Sequence, residues 1–198
     1  MPIQPLSVRA VSRHAVREEL ARVAFDEFCA TGFDQVTFAD LAGATGVSRS
    51  TFLRYFANKE DVVLFVFDPI GDMVAEALKA RIETDDDWVA LRRAFDPAIQ
   101  FLQGDKKEVI AFMDLIQTTP ALGARFREKQ FEWRPEVVRE LARGNVDQTA
   151  SIAAHVRVAA AFESFSIALD AWRDSKGQED LAGLIDAAFG ALLIPGAN

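Results

Sequence analysis

The sequence predicts an all-α fold of about nine helices. A small N-terminal unit is expected over residues 1–58 and a larger helical unit over residues 59–198. Apolar residues recur at three- and four-residue spacing along nearly the whole chain. No run of alternating β-branched residues suggests a sheet. Gly, Pro and Asp-rich points interrupt the pattern at helix-length intervals.

Val16, Leu20, Val23, Ala24 and Phe28 form one face of the first helix, which ends at Thr31 and Gly32, a glycine suited to a left-handed cap. Phe38–Thr45 and Ser48–Phe56 are short helices. A fourth starts after Asn58 and runs to about Glu83, kinked or broken at Pro69, where a backbone donor is missing. Asp85, Asp86 and Asp87 favour the positive end of a fifth helix, which reaches about Leu102 with Pro97 inside it. After a turn at Gln103, Gly104 and Asp105 comes Lys106–Thr118. Pro120 suits the first position of the seventh helix, which extends to Ala142–Gly144 with a kink at Pro135. The eighth, Gln148–Lys176, aligns Val158, Phe162, Phe165, Leu169 and Trp172. The ninth, about Glu179–Leu193, aligns Leu181, Leu184, Ile185, Ala188 and Leu192.

Half of the 198 residues are apolar and 26% are charged, the balance of a soluble globular protein. A single cysteine, Cys29, excludes a disulfide framework and a Cys-rich zinc site, and is read as a small buried or half-buried apolar residue. His14 and His155 make no paired-histidine motif, so neither metal nor cofactor is expected. The apolar runs fall short of the roughly 20 residues of a membrane span, and the N-terminus lacks the apolar core of a secretory signal. A cytoplasmic location without membrane association is expected. The net charge of −8 lies wholly beyond residue 60, because residues 1–60 hold seven basic and seven acidic side chains. Local cations rather than a basic whole chain are what nucleic-acid binding requires.

The most informative segment is residues 32–56. Thr37 is a good N-cap, with Asp40 three residues on, near the helix dipole. Gly46 can adopt positive φ, which allows a tight turn, and Ser48 caps the next helix. Two short helices around such a turn form either an ordinary packed pair or a helix-turn-helix whose second helix enters a major groove. In the latter, Arg49, Ser50 and Thr51 on the first turn face base edges and phosphates.

Residues 13–62 resemble the DNA-binding domain of the TetR family of bacterial one-component regulators. The resemblance is carried by Gly32-Phe33, Val36-Thr37, Leu41-Ala42, Gly46-Val47-Ser48, Thr51, Tyr55-Phe56 and Asn58-Lys59-Glu60. It implies phosphate contacts from Tyr55, Lys59 and Thr37. The family carries a tyrosine at the position of Leu53, which cannot donate a hydrogen bond; the adjacent Arg54 offers partial compensation. Arg9 and Arg13 are read as lying before helix 1 in a solvated tail. The resemblance further implies a homodimer joined through its last two helices, bound to a palindromic double-stranded DNA operator. Leu181, Leu184, Ile185, Ala188 and Leu192 would supply much of that interface.

The remaining residues match the family in length and helical layout, which implies a ligand domain. Its aromatic residues are either helical core or the lining of a cavity left by proline-interrupted helices. Candidate lining residues are Trp88, Phe95, Phe112, Gln117, Trp133, Phe162 and Phe165. Polar groups available to orient a ligand are Gln117, Asp114, His155 and Glu163. The expected ligand is a small hydrophobic molecule held among helices 4 to 8, with a fatty acyl metabolite favoured. With an acyl-CoA, the Arg125, Arg127, Lys129 and Arg134 cluster, ordinarily a solvated face, would meet its phosphates. A ligand-responsive repressor is the leading expectation. The alternatives are an enzyme or carrier for a hydrophobic acyl substrate without DNA binding, and a scaffold protein. No nucleophile with a partner base, metal spacing or phosphate loop favours the enzyme.

Overall fold

A computed structural model describes residues 8–143 and 147–193, and all of their regular structure is helical. The helices are α1 (Val8–Thr31), α2 (Phe38–Thr45), α3 (Arg49–Leu53), α4 (Lys59–Leu64), α5 (Ile70–Lys79), α6 (Asp87–Ala94), α7 (Asp96–Gly104), α8 (Lys106–Thr118), α9 (Pro120–Ala142), α10 (Gln148–Asp174) and α11 (Leu181–Gly190), with one 3-10 turn at Phe65–Phe67. Two of the nine expected helices are each divided in two. The fourth passes through the 3-10 turn and resumes as α5, and the fifth breaks at Phe95 into α6 and α7. At the first break Pro69 stands immediately before α5. At the second, Pro97 lies in the first turn of α7, where its missing N–H is no loss, rather than inside a helix as expected. Pro135 does not interrupt α9.

The chain forms two compact units, one through Phe67 and one from Asp68. The division thus falls later than 58/59, because α4 and the 3-10 turn pack on α1 and bury Val62, Val63, Leu64, Phe65 and Phe67. The first unit encloses Leu20, Ala24 and Phe28 of α1, Leu41 of α2 and Phe52 of α3. Phe52, Phe56 and Phe65 continue as a chain of ring contacts with centroids 5.6 and 5.9 Å apart. The Arg17 guanidinium lies 4.5 Å from the Phe65 centroid and 5.0 Å from that of Phe56. Arg9 and Arg13 belong to α1, not to a tail ahead of it.

In the second unit α5 packs on α9, and α10 packs on both α9 and α11. Phe95 stacks on Phe165 (4.9 Å) and meets Phe162 edge-on (5.3 Å), and Trp133 reaches Phe162 (6.0 Å). Among the described residues α10 alone is long and apolar enough to cross a membrane, yet its Ala154, Val158, Ala161, Phe162, Phe165 and Leu169 are buried inside this unit. α9 ends at Ala142, with Arg143 in the left-handed region (φ 51°); Gly144, expected at this end, lies outside the described residues.

The α5–α9 contact depends on Gly71. A Cβ there would stand 2.5 Å from Trp133 Cδ1 and 3.0 Å from Trp133 Cβ, so any side chain forces the helices apart. Gly71→Ala is expected to destabilise the fold by about 1–3 kcal/mol, the cost of overpacking a filled core. Urea denaturation followed by far-ultraviolet circular dichroism measures it, and an unchanged midpoint would contradict this packing.

Candidate nucleic-acid interface and ligand cavity

The turn between α2 and α3 is built from caps. Thr37 N–H and Oγ–H donate to Asp40 Oδ2 (2.8 and 2.7 Å), and Asp40 N–H donates to Thr37 Oγ1 (3.3 Å), a reciprocal capping box. These bonds stabilise the charged form, so the Asp40 carboxyl titrates below the ordinary aspartate range. Gly46 (φ 70°) closes α2, its N–H directed at the carbonyls of Ala42 and Gly43. Ser48 Oγ then accepts from Thr51 N–H (3.1 Å), donates to Thr51 Oγ1 (2.9 Å) and lies 3.0 Å from Ser50 Oγ. The first turn of α3 therefore presents a cluster of three hydroxyls. Beside them Arg49 is exposed and has no ion-pair partner among the described residues.

Arg54 follows α3, and the Arg13 and Arg54 guanidinium groups lie 5.9 and 5.8 Å from the Tyr55 ring centroid. Arg13 also donates to the Arg54 carbonyl (3.4 Å). Tyr55 is thus flanked by two cations. Leu53 is 40% exposed on this surface. Lys59 has a further duty that its sequence position did not disclose. Its ammonium donates to the carbonyls of Phe33 (2.9 Å) and Val36 (2.8 Å) and stands 4.7 Å from the Phe33 ring centroid. Two of its three donors clamp α4 to the loop before α2. Cys29 is exposed rather than buried or half-buried. Partial desolvation and the nearby Asp26 charge raise its pKa, which lowers its thiolate fraction.

The second unit holds a cavity of about 650 Å³ between α8, α9 and α10. Met113, Ile116 and Gln117 come from α8. α9 supplies Phe126, Arg127, Gln130, Phe131 and Arg134, and α10 supplies Glu163, Ser166, Leu169, Asp170 and Arg173. Of the expected lining residues the cavity receives Gln117. Phe95, Phe112, Trp133, Phe162 and Phe165 are instead buried core, because helices bring aromatics of this size into contact and leave no room between them. Trp88 borders a separate hollow of about 370 Å³ with Phe189, Arg92 and Asp186, and its indole N–H donates to the Phe189 carbonyl (3.3 Å). Glu163 lines the large cavity, whereas Asp114 and His155 are exposed outside its lining. On its floor Gln130 Nε2 donates to Ser166 Oγ (3.0 Å), which donates to the Phe162 carbonyl (2.9 Å).

Comparison with known proteins agrees with this arrangement. Residues 20–66 match the model for bacterial regulatory proteins of the tetR family. The HTH-type transcriptional regulator TcmR of Streptomyces glaucescens is 30% identical over 132 residues. That match covers 64% of this chain and 58% of TcmR, less than two thirds of the relative's length. MftR of Mycobacterium tuberculosis, which carries the name of a mycofactocin biosynthesis transcriptional regulator, is 27% identical over 192 residues, 94% of this chain and 92% of MftR. In fold, the chain resembles FadR of Thermus thermophilus, a TetR-family transcriptional repressor solved in complex with lauroyl-CoA. That superposition has a TM-score of 0.56 and 22% identity, over 91% of this chain and 97% of FadR.

Two outcomes follow from the clamp and the cap. Lys59→Met should destabilise the first unit by about 1–3 kcal/mol in the absence of DNA, since it strips partners from two carbonyls; a wild-type denaturation midpoint would disprove the clamp. Because the folded-state pKa of Asp40 is depressed, its stabilising contribution is present above the unfolded-state pKa and is lost as pH falls through the lower folded-state value. An NMR titration should place the Asp40 carboxyl midpoint below that of a model peptide in the wild type and return it toward that value in Thr37→Ala.

Proposed function

We propose that the chain, whose residues 20–66 match the model for bacterial regulatory proteins of the tetR family, is a cytoplasmic transcriptional repressor of that family, released from a palindromic DNA operator by a small molecule bound in the second unit. The observation that carries this reading is the first turn of α3, where Arg49 and the Ser48, Ser50 and Thr51 hydroxyls face solvent or its edge with Arg54, Tyr55 and Lys59 close by in the chain. A long donor and small hydroxyls suit base edges, while Tyr55, Thr37, Arg54 and the remaining donor of Lys59 suit the backbone.

Specific recognition requires two such heads, since one short helix makes few base contacts. The pairing surface is proposed on α10 and α11. Leu181 and Ile185 are fully buried within their own subunit and are set aside. Leu192 at the end of α11 is exposed, as are Ile152, Val156 and Ile167 along one stripe of α10, and these stand free to meet a second copy. Leu184 and Ala188 are half-buried beside them.

The cavity supplies the switch. α9 lines it and, through Lys129, forms an ion pair with Asp68, the first residue of the second unit. A ligand that shifts α9 would move this anchor, and with it the chain that leads into the DNA-binding unit. About 1–3 kcal/mol of coupling changes operator affinity roughly 5- to 150-fold, and by linkage operator DNA weakens ligand binding by the same factor. FadR's complex makes acyl-CoA thioesters a reasonable first series to titrate. The enzyme or carrier alternative has no observation in its favour beyond the cavity itself.

Selection of bound sequences from a random DNA pool tests the reading, and recovery of no palindromic motif would defeat it. With the operator in hand, Arg49→Ala should cost about 1–3 kcal/mol at particular base pairs and relax preference there. Tyr55→Phe should weaken all sequences alike. If Arg49→Ala weakens every sequence equally, the base-reading role is wrong.

A further inference from the structure

The cavity of the second unit has a charge pattern that points to the chemistry of its occupant. This inference rests on the reading above that the cavity is the effector site. α9 brings Arg127, Gln130, Phe131 and Arg134 to it at i, i+3, i+4 and i+7, one helical face. Residues 125–134 carry four cations, and two are neutralised within the chain: Arg125 by Glu128 and Glu132, and Lys129 by Asp68. The other two, Arg127 and Arg134, have no carboxylate partner among the described residues, and these are the two that line the cavity. Arg134 Nε is buried with no hydrogen-bond acceptor among the described residues, and its guanidinium lies 4.1 Å from the Phe131 ring centroid. A buried donor without an acceptor is costly unless something supplies one. On the facing wall Arg173 is already paired with Asp170 and Asp174, and Glu163 stands exposed without an ion-pair partner among the described residues.

We propose that the cavity takes an anionic amphiphile. Its carboxylate or phosphate is held by Arg127 and Arg134, and its apolar tail lies on Met113, Ile116, Phe126 and Leu169. Guanidinium groups suit this because their planar N–H forks match carboxylate and phosphate oxygens.

Isothermal titration of the full chain with decanoate, decyl phosphate, decan-1-ol and decyltrimethylammonium, each below its micellar concentration, tests this. Both anions should bind at least about tenfold tighter than decan-1-ol, and their order identifies carboxylate or phosphate as the natural group. Arg127→Gln and Arg134→Gln should each weaken the anions about tenfold and leave decan-1-ol unchanged. Arg127 is exposed, so its variant keeps the test decisive if Arg134→Gln fails to fold. Equal binding of decanoate and decan-1-ol overturns the proposal, as does tightest binding of the cation, which would make Glu163 the selector. If the arginine variants change the dimer dissociation constant by sedimentation equilibrium but not anion affinity, these side chains serve subunit pairing and the proposal fails. Operator affinity is measured separately. An anion that binds as described yet leaves operator affinity unchanged supports this site while overturning the regulatory reading.

Discussion

How closely α5 can lie on α9 governs the second unit. At Gly71 the α5 backbone comes so near Trp133 that only hydrogen fits between them. That approach sets Trp133 into the aromatic cluster with Phe162, and so fixes the rotation of α9 about its own axis. Once the rotation is set, the remaining faces have no choice. Leu122, Trp133, Val137 and Leu141 go inward, Arg125 meets its acidic neighbours on the outside, and Arg127, Gln130, Phe131 and Arg134 turn to the cavity. The Lys129–Asp68 pair holds the same helix from a further side. The character of the cavity is therefore a consequence of a helix contact on another side of α9.

The first unit is organised differently. α2 and α3 have eight and five residues, lengths at which an isolated helix does not persist in water. Each is defined at its start by a side chain that accepts a backbone N–H, and Phe52 of α3 is fully buried. Caps set where the helices begin, and packing keeps them there. The groups that cap are also the groups at the surface. In Ser48 one hydroxyl both closes the helix and belongs to the polar cluster offered outward.

The local chemistry of this chain was legible from its sequence, and its tertiary pairings were not. Thr37, Gly46 and Ser48 announced the turn because capping depends on residues three or four apart, and α2 and α8 have the expected ends. Periodicity also marked Phe162 and Phe165 as sharing one helix face, but it carries no measure of the space between facing helices, so core and cavity lining looked alike. The basic residues of α9 show the same boundary. Whether an arginine is spent or available depends on its counter-charge, and for Lys129 that carboxylate lies 61 residues away. The resemblance marks Lys59 only as a phosphate contact, and its clamp is hidden because the acceptors are backbone carbonyls, which no side-chain pattern reveals.

The Lys59 clamp also bears on how any mutational map of this protein is read. On the proposed repressor reading, a scan that scores repression in cells reports the product of two quantities, the amount of folded protein and its affinity for DNA. At Arg49 only the second is expected to change, since its side chain is exposed and unpaired. At Lys59 both change together, because the ammonium that is offered outward also ties α4 to the loop around Phe33 and Val36. A severe phenotype at that position would overstate the proposed DNA contact, and only affinity normalised to folded concentration separates the two. Similar phenotypes at Arg49 and Lys59 would then have different molecular origins.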